Sequence, residues 1–209
     1  MGSIKGQKHN PYIQGKYGHM NPNDVVFTPD WLAKQIVDLF DLDMKSSVLE
    51  PCKGEGAFTQ YLPSAEWCEI AEGKNFYDYK KKVDWIVTNP PYSDYNRFLT
   101  HAFDLAQNIV LLVPMSKMFK SMGTIKQIYN WGGIVEIHML PASKAGFPFG
   151  FPCAIYHLKK CYEGKTDIQM LDCAIDNQVK LDLDRCKDCD NGRDEFDPEW
   201  RCPNCRIKR

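Results

Sequence analysis

The sequence predicts an α/β domain built on a mixed, mostly parallel sheet, and three observations carry that expectation. Short apolar runs with strand character, at 47–49, 67–70, 83–87, 109–113, 134–139 and 153–158, recur along the chain. Stretches whose apolar residues fall at helical spacing alternate with them, the pattern of strands joined by crossover helices. Turn chemistry marks the joins: Glu50-Pro51, Gly54-Glu55-Gly56, Asn89-Pro90-Pro91 and Gly132-Gly133.

Taken in order, residues 1–23 mix Gly, Asn, Pro, His and Tyr without periodicity and are expected to form a flexible arm. Thr28-Pro29-Asp30 opens a helix, with Thr28 as its cap and Trp31, Leu32, Ile36, Leu39 and Phe40 at helical spacing. The strand at 47–49 ends at Glu50-Pro51, the glycine turn follows, and 57–62 is expected as a helix. A strand at 67–70 and another at 83–87 come next, then a helix over 97–106 and a continuous apolar strand at 109–113. One helix is expected over 117–131, stopped by Gly132-Gly133, before the strands at 134–139 and 153–158. The domain proper is drawn at 24–160. Residues 161–184 form a connecting segment whose alternating pattern can pair as a small hairpin, and 185–209 form a separate module.

Composition sets bounds. The 209 residues are 44% hydrophobic and 25% charged, ordinary for a globular protein. No run reaches about 18 apolar residues and the first residues lack a signal-peptide core, so no membrane span and a cytoplasmic setting are expected. A net charge of −1 means that any nucleic-acid contact must rest on local basic patches. Nine cysteines, an odd number, do not suggest a disulfide framework. Cys52, Cys68, Cys153, Cys161 and Cys173 are expected as small core residues. Cys186-x2-Cys189 and Cys202-x2-Cys205, twelve residues apart, are instead expected to supply four thiolates to a tetrahedral ion, with a disulfide pair or an Fe–S cluster as the alternatives. With every position filled by sulfur, a Zn2+ there is structural, supplying to a short zinc-ribbon-like module what burial cannot. Arg206-Ile207-Lys208-Arg209 makes its basic end.

The most informative stretch is Thr88-Asn89-Pro90-Pro91-Tyr92, directly after a buried strand. Two prolines fix the backbone and remove two donors, so the chain is held stiffly with an amide and a ring projecting. The Asn89 side-chain oxygen and the Pro90 carbonyl make two converging acceptors, suited to a planar exocyclic NH2 of adenine, cytosine or a glutamine side chain. Upstream, Gly54 and Gly56 let the backbone approach a ligand closely, and Glu50 stands at the strand end to accept from an ammonium group.

Together, Phe27-Thr28-Pro29 with its helix, Glu50-Pro51-x-x-Gly54-x-Gly56 and Asn89-Pro90-Pro91-Tyr92 resemble the S-adenosylmethionine-dependent N6-adenine DNA methyltransferases, in the gamma-like order of motifs. The resemblance covers about residues 24–160 and implies a Rossmann-like methyltransferase fold with a seven-stranded sheet. It also implies roles. Phe27, Thr28 and Pro29 would line the methionine end of the cofactor, and Glu50, Pro51, Gly54 and Gly56 would surround the amino-acid moiety. Glu69 would take the ribose hydroxyls, with Glu72 as its competitor, while Asn75 and Phe76 would meet the adenine. Asn89 and Pro90 would hold the target amine, and Pro91 would stiffen the turn. Tyr92 would stack on a base flipped out of its helix, with Phe147 and Phe149 as candidates for the opposite wall.

The implied activity is methyl transfer to adenine N6 in DNA, as in restriction-modification. RNA adenine, protein glutamine and a non-catalytic nucleic-acid-binding scaffold are the alternatives. The family's DNA enzymes carry a sizeable target-recognition domain, whereas residues 161–209 are all that follow the core here. Recognition is therefore expected from loops, from the arm (Lys8, His9, Tyr12, Lys16, Tyr17, His19) or from the zinc module.

Overall fold

The computed structural model describes residues 25–45, 47–143, 147, 150 and 152–171. The chain divides into two compact units, residues 1–169 and 170–209. The four expected zinc ligands, Phe149 and the N-terminal arm lie outside the described residues.

Seven strands form one sheet: β1 (Val48–Glu50), β2 (Glu66–Trp67), β3 (Val83–Thr88), β4 (Ala106–Pro114), β5 (Gly132–Leu140), β6 (Cys153–Lys160) and β7 (Asp167–Met170). Their order is β2-β1-β3-β4-β6-β5-β7. β1 pairs in parallel with β2 and β3, and β3 with β4, whereas β6 runs antiparallel to both β4 and β5. The sheet is thus mixed, with its parallel half at the amino-terminal side of the chain. Five strands coincide with apolar runs of the sequence, and β2 meets its run at Trp67 alone. The seventh arises in the segment expected to hold a hairpin, at the sheet edge.

Helices α1 (Asp30–Leu39), α2 (Tyr95–Leu105), α3 (Met115–Met118) and α4 (Met122–Trp131) complete the described framework. Phe98, Leu99 and Ala102 of α2 and Ile128 of α4 share one core with Ile86, Ile109, Leu111, Tyr156 and Leu158. On the opposite sheet face Phe40, just past α1, meets the rings of His138 and His157 edge-on, at 6.1 and 5.4 Å between centroids. His138, expected as an ordinary strand histidine, lies in β5 with Nε2 2.8 Å from a Glu136 carboxylate oxygen.

Several local expectations are corrected. Residues 57–62 form turns instead of a helix. Tyr61 and Leu62 donate to Phe58 and Thr59, three residues back, and Pro63 bars any extension. Thr28 does not cap α1. The Pro29 carbonyl takes the amides of Leu32 and Ala33, leaving the Thr28 hydroxyl for another partner. The second strand is shorter than expected, ending at Trp67, and Glu69 to Lys74 closes instead as an isolated bridge around a 3-10 turn at Ile70–Glu72. The helix expected over 117–131 is broken: Ser121 accepts from the Thr124 amide at 3.2 Å and starts α4 anew.

Gly132 does more than end a helix. A Cβ there would lie 2.1 Å from the Lys159 carbonyl oxygen and 2.9 Å from the Lys160 Cα. Strands β5 and β6 can meet at this end only without a side chain. Gly132→Ala is expected to destabilise the protein by about 2 kcal/mol or more, as overpacking against backbone does. Chemical denaturation of the variant beside the wild type measures this.

Candidate active site

Two adjoining cavities open at the carboxyl ends of β1 and β3. The larger spans about 790 Å3, space open to solvent included, and has a mainly apolar wall that includes Pro51, Ile70, Phe76, Tyr77, Pro91 and Phe98, with Glu69 and Asn75 as polar members. The smaller encloses about 340 Å3 and holds Thr28, Glu50, Lys53 and Glu55. Val26, Phe27, Cys52, Gly54 and Asn89 border both. Asn89 therefore stands where one cavity passes into the other.

The side chain of Asn89 is held at both ends. Its Nδ2 donates to the Val26 carbonyl at 3.0 Å and to the Thr28 hydroxyl at 3.3 Å, so both amide hydrogens are used. A carbonyl can only accept, so the nitrogen must face Val26 and the oxygen must face away. That oxygen accepts from the Tyr92 hydroxyl at 2.8 Å. Tyr92 is only 7% exposed, so its ring lies folded in and not out as the stacking platform expected from the motif. In this conformation a donor of the protein itself occupies the Asn89 side-chain acceptor.

Glu50 is the most strained group electrostatically. It is 2% exposed, and among the described residues its Oε2 has no hydrogen-bond partner. Burial pushes its carboxyl up to about 9, the nearby Glu69 adding to the rise, against the opposing Thr59 backbone and Lys53. An unpaired carboxyl oxygen on the wall of a polar cavity can accept from a cationic donor. Glu69 sits just past β2 with Oε2 accepting from the Gly54 amide at 2.7 Å and Oε1 from the Ala71 amide at 3.0 Å. It thereby ties the glycine turn, with Gly54 at φ +56°, to the far lip of the larger cavity. The Asn75 side chain accepts from the Tyr77 amide at 3.1 Å, fixing the turn that presents Phe76. Phe76 packs on Phe98 at 4.8 Å between centroids, serving as core and as cavity wall together.

Of the residues singled out by sequence, Phe27, Thr28, Glu50, Pro51, Gly54, Glu69, Asn75, Phe76, Asn89 and Pro91 border the cavities. Pro29, Gly56, Pro90, Tyr92 and Phe147 are absent from the two walls. Phe147 is buried, its amide donating to the Ala142 carbonyl. Val26, Cys52 and Tyr77 were missed. Cys52, expected in the core, is half-buried and borders both cavities. Its place inside the Pro51-to-Gly54 loop was the available signal. Nothing in the sequence marks Val26, which acts through its backbone.

The raised carboxyl of Glu50 has a consequence for stability. Between its ordinary value of 4.5 and about 9 the folded chain holds a proton that the unfolded chain releases. The corresponding stability is present in full below the lower value and is lost as pH rises toward the upper one. Wild type is thus expected to lose stability relative to Glu50→Gln from about pH 5 to about pH 9. Parallel denaturation curves for the two proteins across that range would overturn the assignment.

No protein-family model matches the sequence, and no curated protein matches it. Among solved structures, a Listeria monocytogenes protein assigned to the class I S-adenosylmethionine-dependent methyltransferases superposes with a TM-score of 0.59 at 15% identity, over 82% of this chain and 73% of that one. A type I restriction-modification methyltransferase subunit from Streptococcus thermophilus gives 0.53 at 18%, over 83% of this chain and 55% of its own. The type IIG restriction endonuclease BpuSI gives 0.56 at 12%, over 72% of this chain and 28% of its own. The chain has the fold of the class I S-adenosylmethionine-dependent methyltransferases.

Proposed function

We propose that this protein transfers a methyl group from S-adenosylmethionine to the N6 amine of adenine in DNA. The observation that carries the proposal is the position of Asn89 on the shared border of an apolar cavity and a polar one. A nucleoside suits the larger cavity, with Phe76 against the base, Asn75 beside it and Glu69 toward the ribose. A zwitterionic amino-acid end suits the smaller, where the unpartnered Glu50 oxygen would receive the ammonium. The methionine sulfur of a cofactor so divided falls at the junction, beside Asn89. The glycine turn fits as well, since Gly54 leaves the loop backbone open to close approach.

The cofactor supplies an activated methyl carbon; the chain supplies position. Asn89 Oδ1 and the Pro90 carbonyl would accept the two hydrogens of the target amine, drawing its lone pair out of the ring and stabilising the charge that develops on nitrogen. The Val26 carbonyl keeps the correct end of the Asn89 amide forward. The incoming NH2 displaces the Tyr92 hydroxyl, and the freed ring stacks on the extruded base. A structural zinc ion on Cys186, Cys189, Cys202 and Cys205, inferred from their spacing, completes the proposal. The restriction-modification neighbours, in which methyltransferase subunits occur, favour DNA as the nucleic acid over RNA.

Labelled cofactor incubated with unmethylated DNA, RNA and protein extract is expected to mark DNA as N6-methyladenine, with the label lost in Asn89→Ala. Label confined to RNA or to protein would overturn the choice of substrate. Tyr92→Phe is expected to keep activity, whereas Tyr92→Ala should weaken substrate binding by about 5- to 150-fold, the worth of one base stack. Calorimetry of cofactor binding in buffers of different ionisation enthalpy near pH 7.5 should show about one proton released by wild type and none by Glu50→Gln. Mass spectrometry under native conditions should find one zinc per chain, and chelation should leave cofactor binding intact.

A further inference from the structure

The sequence between Asp104 and Glu136 contains no acidic residue, yet the chain as a whole carries 27 of them. The same stretch bears Lys117, Lys120 and Lys126. It runs from β4 through α3 to α4, and the break between those helices lies against the catalytic turn. Lys117 Nζ donates to the Tyr92 carbonyl at 3.1 Å. The Tyr95 hydroxyl reaches the Met118 sulfur at 3.6 Å, and the Thr124 hydroxyl donates to Asn96 Oδ1 at 3.1 Å. Three contacts thus fasten this junction to Tyr92 and to the first turn of the helix that follows it.

What the junction turns outward is unusual for a surface. Phe119 is 46% exposed and Met122 64%, side by side in the chain with the exposed Lys120 between them. Lys126 is exposed one turn further along α4. Cationic ammonium groups interleaved with bare apolar side chains, on a stretch whose own sequence has no carboxylate, match a strand of nucleic acid. Lysines neutralise phosphates, and apolar groups lie on sugars and base faces.

We infer that the α3–α4 junction is the surface on which DNA lies next to the base being modified. Lys120 and Lys126 meet phosphates, and Phe119 and Met122 press on the sugars or wedge between bases flanking the extruded adenine. Lys117 has a different part: it anchors the junction to the catalytic turn, so that the docked strand is in register with Asn89. This inference rests on the DNA substrate proposed above, and it locates part of the substrate contact outside residues 161–209.

The test is fluorescence anisotropy of the full chain with a labelled adenine-containing duplex, over a series of salt concentrations. Lys120→Glu/Lys126→Glu is expected to weaken binding about tenfold or more and to reduce the salt slope by about two phosphate contacts. Phe119→Ala/Met122→Ala is expected to weaken binding without changing that slope. Lys165→Glu, remote from the turn, is the control, and cofactor calorimetry checks that each variant keeps its fold. Wild-type affinity in the double lysine variant, or an equal loss in the control, overturns the inference. Methylation assays on the same samples separate it from the substrate proposal. DNA methylated by wild type with binding indifferent to the lysines sinks only the surface. Lysine-dependent DNA binding with label found only in protein or RNA sinks only the substrate.

Discussion

An amide side chain can present either of its ends to a visitor, and at Asn89 the choice is made by the Val26 carbonyl. Because that carbonyl can only accept, it holds the nitrogen and turns the oxygen toward Tyr92. The rest of the site is arranged around this constraint. Segment 25–29, which carries Val26, also brings Phe27 to both cavities and Thr28 to the smaller one, and its Pro29 carbonyl starts α1. The stretch that orients the Asn89 amide is therefore the same stretch that walls both cavities. Displacing it would disturb both at once.

Two polar groups in the cleft are at odds with their surroundings. Burial favours the protonated form of Glu50, although the Thr59 backbone and Lys53 oppose it. Asn89 Oδ1 is satisfied by a tyrosine that the motif would use elsewhere. On the function proposed above, an ammonium group would meet the first and an aromatic amine would displace the partner of the second, and recognition sites keep mismatches of this kind.

Much of this was legible in the sequence, and the limits of legibility are physical. The apolar runs located the long strands, β4 and β6 above all, because continuous burial leaves a continuous apolar signature. Asn89-Pro90-Pro91 was readable because two prolines permit few conformations. The 57–62 segment misled because its apolar spacing is helical, although Pro63 leaves room for turns alone. The break before α4 was carried by Ser121 and Thr124, a capping pair easily lost within an apolar helical pattern. Thr28 has the chemistry of a cap, and only the fold reveals that Asn89, 61 residues away, claims its hydroxyl. The pose of Tyr92, by contrast, is decided inside the motif, by the bond from its hydroxyl to Asn89 three residues back.

The sheet is stitched unevenly. β1 and β2 share two register pairs, Leu49 with Glu66 and Glu50 with Trp67, whereas β4 and β6 share seven. Local opening is cheapest where few pairs hold a strand, so amides near Leu49 and Trp67 should exchange with solvent ahead of those in β4. Glu50 and the turn that follows it sit on that looser end. The cleft is thus carried by a part of the sheet held by few pairs, and an occupant reaching from Glu50 to Glu69 would add a rung, lending that end an order its short strands do not supply.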